Sequence, residues 1–584
     1  MRKLLIGLCS IVFTTASGQD LITPFEKSGG KKTATYQEIA SWWNKADMVS
    51  DKLKMFTKGP TDAGYPLNLI VISNDKDFDF ASLHKKNKCI LLINNGIHPG
   101  EPDGIDASML LVKDIISNKF PLPNNVVLAI IPVYNIGGCL NRSSNYRIDQ
   151  NGPDAFGFRG NSQNLDLNRD FIKNDSKEAG SFAAIFHEVD PDIFIDNHVS
   201  NGADYQHIIT LLSSQHNKLG GALGDFMEQK LEPAIYALMK QRGYDLIPYV
   251  NAFEETPETG WPQFMDQPRF SSGYAALWGT LGFMPETHML KPYEQRVKAT
   301  FNLMESFIQF AHENAEDIHE VRKATKASVK NQYEFAINWS LDRSKSKDID
   351  FKGFTALHKT SNVSGQQRLY YDRSQPFEKK VKFYNEYEPS LTINKPAAYI
   401  IPQGWWKVIN ILRANKVVMT QLSSDQDISV DVYRIVDYKS APRAYEGHHI
   451  NNKVQVSTKT SVMHFRKGDY VIPMNQVANR YLMEVLEPQG DDSFFAWNFF
   501  DAILGQKEGF SDYVFEQKAE KYLQDHPDVK AMLEAKRNSD SAFAKNGEAQ
   551  LDFVYKHSPY YEPDHLRYPV YRITDDAQLK SIKQ

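Results

Sequence analysis

Short apolar runs without polar alternation, separated by stretches of helical spacing, constrain this chain more than any other feature. Cys89-Ile90-Leu91-Leu92-Ile93, Val126 to Val133 and Ile193-Phe194-Ile195 are such runs. A strand apolar on both faces must be covered on both, which implies a buried, largely parallel sheet flanked by helices. The intervening segments fit. Asp103 to Asn118 sets Ile105, Met109, Val112 and Ile116 at helical spacing, and Tyr36 to Phe56 does the same with Ile39, Trp42, Trp43, Ala46 and Met48. Leu67 to Ser73 reads as a further strand. Asp175 with Glu178 forms a capping-box pattern for another helix. Leu219 to Arg242 reads as one long helix ended by Gly243, and Pro292 suits the first turn of a helix running to about His312.

The texture changes after Thr325. From Phe351 to Ile472, short runs rich in Val, Ile, Tyr and Thr are divided by Pro, Gly, Asn and Asp, which predicts a β-rich region. Phe494 to Lys545 then reads as helical. A chain of 584 residues accommodates several domains. The expected division is an α/β domain over 19–325, a β-rich accessory domain over 326–490 and a mixed, partly helical region over 491–584. Residues 1–18 read as a signal peptide: Arg2 and Lys3, an apolar Leu4 to Phe13, then small residues at Ala16-Ser17-Gly18. Export to periplasm, cell surface or medium is the expectation. Cys89 and Cys139 are then the remaining cysteines, each in or beside an apolar run; buried thiols are the plain reading, and an exported compartment also permits a disulfide. A net charge of −5 without long runs of like charge gives no reason to expect nucleic acid as a partner, and no later stretch suits a transmembrane segment. Oligomeric state is not legible.

In sheets of this kind ligands bind beyond the carboxyl ends of the strands. His98-Pro99-Gly100-Glu101 follows one apolar run and His198 follows another. Two histidines and a glutamate suffice for a zinc site with one position open to water, so His98, Glu101 and His198 are the candidate ligands of one zinc ion per chain. Asp196 and Asn197 are placed to orient His198. In Asp166-Leu167-Asn168-Arg169, the Arg169 guanidinium matches a carboxylate and the Asn168 amide adds a donor. Arg159 is a candidate for stabilising a developing oxyanion, with Arg142 and Arg147 as competitors. Glu286, after Gly282-Phe283-Met284-Pro285, is in an apolar setting that suits a general base, with His288 as a rival. Tyr274 is a candidate to cap substrate. Together these residues point to a zinc hydrolase that recognises an acidic end of its substrate.

In this order, the residues resemble the zinc metallocarboxypeptidases, the family of the digestive carboxypeptidases A and B. His98-x-x-Glu101, Asp166-Leu167-Asn168-Arg169, His198 after a strand and Glu286 carry the resemblance, which spans roughly residues 30 to 315. It implies an α/β/α sandwich around a mixed eight-stranded sheet and one catalytic zinc. It further implies that His98, Glu101 and His198 bind the metal, that Glu286 activates water, that Asn168 and Arg169 hold a terminal carboxylate and that Arg159 faces the oxyanion. Asp170 stands where the digestive enzymes have asparagine, and Glu286 lies in Pro285-Glu286-Thr287-His288 instead of the usual Phe-Glu-Leu context. Two other functions use the same residues. One is a zinc amidase for cell-wall peptides or N-acyl amino acids. The other is a non-catalytic peptide- or glycan-binding protein using Trp405 and Trp406.

Overall fold

The computed structural model describes residues 21–252 and 256–584. The signal-peptide reading of residues 1–18 lies outside them. Among the described residues the chain forms two compact units: the first runs to residue 395 and includes 410–418 and 474–485, and the second holds 396–409, 419–473 and 486–584.

The first unit is built on a mixed sheet. Its strands are β1 (Leu53–Pro60), β2 (Pro66–Ile72), β3 (Cys89–Asn94), β4 (Val126–Ile131), β5 (Ile193–Asp196), β6 (His198–Ser200), β7 (Ile209–Ser213), β8 (Ile247–Pro248) and β9 (Leu281–His288). The spatial order is β1-β2-β4-β3-β5-β9-β7-β8, with β6 beside β9. Asn197 interrupts one strand position, so nine segments fill the eight-place sheet expected from the resemblance. β3 runs parallel to β4 and β5, and β5 parallel to β9, whereas β7 is antiparallel to β9.

Both faces are covered. Leu91, Ile93 and Ile195 belong to one core with Met109, Leu111 and Val112 of the helix Asp103–Ile116 and Leu303, Phe307 and Phe310 of the helix Tyr293–Glu313. On the other side Phe194 meets Phe182 and Phe186 of the helix Lys177–Val189. The alternation along β3, β4 and β5 therefore serves two apolar layers, and these central strands are buried throughout. Cys89 and Cys139 are both buried and unpaired. Among the described residues, no helix is long and apolar enough to cross a membrane.

Several expected boundaries shift. The helix from Tyr36 stops at Val49, and residues 53–56 belong to an antiparallel edge strand paired with β2. The cap of the helix Lys177–Val189 is Ser176, whose hydroxyl accepts from the Ala179 amide, and not Asp175. Leu219 to Arg242 is not one helix: Gly220 and Gly221, both at positive φ, break it, and residues 227–231 form a π-helical turn. Residues 326–395 pack in the first unit, because Phe351, Val381 and Phe383 share a core with Tyr205, Val250 and Trp261. The first unit therefore continues beyond residue 325. In the second unit, Tyr571–Ile573 pairs with Ala398–Ile401 inside a six-stranded sheet, so the boundary placed at 490 is crossed by the ladder. A separate small core around Phe515, Leu533, Phe543 and Tyr555 holds the helices Asp512–Asp525, Pro527–Ser539 and Gly547–Lys556.

Candidate active site

β3, β5 and β9 are neighbours, and their ends deliver side chains to one cleft. After β3 the chain turns through His98-Pro99-Gly100-Glu101, closed by the Glu101 amide donating to the His98 carbonyl at 2.8 Å. Gly100 is required by close approach: a Cβ there would lie 2.6 Å from Arg147 Cδ and 2.9 Å from the Gly157 carbonyl oxygen. At the break between β5 and β6, the Asn197 amide donates to the Asn94 carbonyl and its side chain to Asn95 Oδ1, pinning the break to β3. His198 then lies in register beside Glu286 of β9.

The two imidazoles are set alike. His98 Nε2 donates to Asp166 Oδ1 at 2.9 Å, and His198 Nε2 donates to Asp196 Oδ2 at 3.0 Å. A carboxylate only accepts, so each pairing puts a proton on Nε2 and turns Nδ1 inward toward Glu101. Glu101 lies between them, with Oε1 3.3 Å from His98 Nδ1 and Oε2 3.1 Å from His198 Nδ1. The three donor atoms lie within 4.8 Å of one another. His98 Nδ1 is buried and makes no hydrogen bond. An orphaned imidazole nitrogen beside a second imidazole and a carboxylate is a donor set that fits zinc. Burial disfavours an imidazolium at His198, but Asp196, Glu101 and Glu286 outweigh it and raise its pKa well above the ordinary value. The same negative field favours a bound cation. Burial also opposes charge on Glu101, yet Arg147 and His98 hold its carboxyl well below the usual range.

Asp166 connects the candidate donor set with the cationic side of the cleft. Its Oδ2 accepts from Arg159 Nε at 2.9 Å and Nη2 at 2.8 Å, which leaves the Arg159 Nη1 edge 3.4 Å from Glu101 Oε1. Arg147 Nη1 donates to Glu101 Oε1 at 2.8 Å, whereas Arg142 is spent on the carbonyls of Ala34 and Ala155. Of the three arginines weighed for the oxyanion, Arg159 and Arg147 therefore reach the cleft and Arg142 does not. Arg169 lies with its guanidinium 4.6 Å from the centre of the Phe270 ring and donates to the Asn168 carbonyl at 2.9 Å. Asn168 is buried, and its Oδ1 accepts from the Ser271 amide at 3.0 Å. Asp170 faces away: its carboxylate is fully buried on Lys173 Nζ at 2.9 Å and on the amides of Asp175 and Ser176. The acid in place of the digestive asparagine is neutralised inside the protein.

Glu286 Oε2 is buried and has no hydrogen-bond partner. Burial, reinforced by Glu101 and opposed by His198 and the arginines, pushes its pKa up to about 8. His288 is no rival: Nε2 donates to the Ala203 carbonyl at 2.7 Å, Nδ1 accepts from the Leu290 amide at 3.2 Å, and burial lowers its pKa to about 4. Tyr274 is a correction. It is 1% exposed, packed among Phe171, Phe182 and Phe186, and its hydroxyl donates to Asn415 Oδ1 at 2.6 Å. It does not line the cleft; Tyr249 does. Tyr249 follows the two-residue strand β8, a signal too short to separate it from the other 27 of the chain's 28 tyrosines. The cleft has a volume of about 470 Å³, and its apolar wall is Leu212, Phe264, Phe270 and Met284. Trp405 packs against Phe500 and Trp406 is exposed, both in the second unit.

Residues 39–206 match the family model described as zinc carboxypeptidase. That segment includes His98, Glu101, Asn168, Arg169 and His198 and ends before Glu286. Carboxypeptidase 2 of Trichophyton rubrum is 20% identical over 444 residues, which cover 71% of this chain and 74% of that protein. Among solved structures, a metallo-carboxypeptidase from Burkholderia cenocepacia is 17% identical with a TM-score of 0.36, covering 48% of this chain and 70% of that one. Carboxypeptidase A from Helicoverpa armigera is 15% identical with a TM-score of 0.35, covering 51% of this chain and 75% of that one.

Proposed function

We propose, from the premise that residues 39–206 belong to a zinc carboxypeptidase domain, that this protein is an exported zinc carboxypeptidase cleaving C-terminal peptide bonds. The observation that carries this reading is the convergence, in one cleft, of the His98–Glu101–His198 donor set with Glu286 and Arg169. A zinc ion held by His98, Glu101 and His198 supplies a Lewis acid for a water molecule and the scissile carbonyl. The chain's own groups do the rest. Arg169, steadied on Phe270, and Asn168 receive the terminal carboxylate and so fix which bond is presented. Glu286 Oε2, without a partner of its own, accepts a proton from the attacking water and returns it to the departing amine. A pKa near 8 is that of the cation-free site; a divalent cation nearby favours the ionised, basic form. Arg159, held by Asp166, directs its remaining N–H groups toward charge developing on the carbonyl oxygen.

The wall of Leu212, Phe264, Phe270 and Met284 favours an apolar terminal side chain. The testing experiment is metal analysis of the purified protein together with mass spectrometry of a peptide mixture incubated with it. One catalytic zinc and stepwise loss of C-terminal residues, fastest from Phe or Leu ends, is the expected result. Bound zinc without peptide shortening would redirect the search to cell-wall peptides and N-acyl amino acids. No zinc uptake at His98, Glu101 and His198 would refute the site and favour a binding protein. Export rests on the basic, apolar and small residues of positions 1–18, and a mature chain beginning near Gln19 is its test.

A further inference from the structure

Imidazole and carboxylate groups converge at a second place in the first unit. His216 follows β7, Glu228 lies in the π-helical turn Met227–Leu231, and Glu386 lies between the strands Gln367–Tyr384 and Tyr387–Asn394. His216 Nε2 is 3.5 Å from Glu228 Oε2 and 3.4 Å from Glu386 Oε1. These separations are long for N–H···O hydrogen bonds, which centre at about 2.9–3.0 Å. They match the roughly 3.4 Å between two ligands that each lie about 2.1 Å from one tetrahedral zinc ion. All three donor atoms fall within 4.8 Å of one another.

The carboxylates are also oriented as ligands are. Glu228 Oε1 is taken by Lys347, which leaves Oε2 turned to His216. Glu386 Oε2 accepts from Asn217 Nδ2 at 3.2 Å, which leaves Oε1 turned to His216. Outer partners of this kind fix the ligating atom, as Asp166 and Asp196 do in the cleft. An independent observation comes from Asn385. It is 4% exposed, its side chain lies within hydrogen-bonding reach of Glu228, and its Oδ1 is buried without a partner. Lys347 offsets one of the two carboxylates, so the group retains the negative charge that a divalent cation requires.

We propose that His216, Glu228 and Glu386 bind a second divalent metal ion of the zinc class, beside the Asn385 side chain that reaches Glu228. The ion joins the segment that follows β7 to the turn at 385–386. The Gln215 side chain already bridges these parts, donating to the Asn385 carbonyl at 2.8 Å. It fastens the turn between the strands Gln367–Tyr384 and Tyr387–Asn394 to the catalytic sheet and leaves the chemistry of the cleft to other residues.

The test is zinc stoichiometry on the full chain, stripped with a chelator and equilibrated with Zn²⁺ alone. Wild type should bind two zinc ions. His216→Ala and the conservative Glu386→Gln should each bind one and still hydrolyse peptide, while Glu101→Gln should bind one and lose hydrolysis. Zinc should raise the melting temperature of Glu101→Gln but not of Glu101→Gln/His216→Ala. Equal zinc binding by wild type and both His216→Ala and Glu386→Gln overturns the second site and leaves the catalytic reading standing. Loss of zinc on changing His216 but not on changing Glu101 supports the second site and refutes the catalytic one.

Discussion

At the level of single residues, Glu286 and Asp166 carry the most consequence. Glu286→Gln keeps shape and polarity but cannot accept a proton, so kcat should fall by about 10²–10⁴-fold, with zinc content unchanged by elemental analysis. Asp166→Asn should act on two groups at once, because Asp166 fixes the His98 tautomer and holds Arg159. Loss of such an orienting partner costs about 10–100-fold in metal affinity, measurable by competition with a zinc chelator. That His98, Glu101 and His198 converge was legible in the sequence because each follows a run that must be a buried strand. Asp166 was visible only as part of a motif, since its reach to His98, 68 positions away, is a property of the folded turn. Tyr274 misled because an aromatic residue near a proposed base looks the same in sequence whether it faces a cleft or a core. Its ring fills the layer under the helix Lys177–Val189.

Among the elements, the helix Asp103–Ile116 contains a buried acid, Asp106, that receives the Tyr293 hydroxyl. Burial raises its pKa from 3.8 to about 7. A carboxyl whose folded-state pKa exceeds its unfolded value binds its proton more tightly in the fold. Its contribution is therefore full at low pH and is lost as pH rises across the window from about 4 to about 7. Asp106→Asn should be more stable than wild type at pH 8, by about 1.4 kcal/mol for each unit of displacement removed, and the difference should shrink toward pH 4. Denaturant midpoints at the two pH values check this. At the next helix Ser176→Ala removes the acceptor for the Ala179 amide and should cost about 1 kcal/mol. Strand and helix positions were well marked where apolar periodicity was unbroken, as in β3 and the helix Asp103–Ile116. They were misjudged where backbone chemistry decides. Tyr36 to Phe56 keeps helical spacing past its real end, and Gly220-Gly221 breaks a run whose apolar residues alone read as one helix.

For the molecule as a whole, bound zinc adds stability only to the folded chain, so a chelator should lower the melting temperature of wild type and leave a variant lacking both His98 and His216 unmoved. The extent of the first unit was not legible, because the contacts of Phe351, Val381 and Phe383 with Trp261 and Tyr205 arise only in three dimensions. The order of strands has one more outcome, which concerns synthesis. β9 is last of the nine in the chain but sits between β5 and β7, made some seventy residues or more before it. A nascent chain that has emerged only to residue 280 therefore has its sheet split into a five-stranded and a two-stranded part, with an unpaired edge on each and Glu286 still missing. Open edges of this kind invite pairing with other chains. Glu286, the proposed base, thus arrives on the strand that closes the gap, so an incompletely made chain lacks it for as long as its edges stand open.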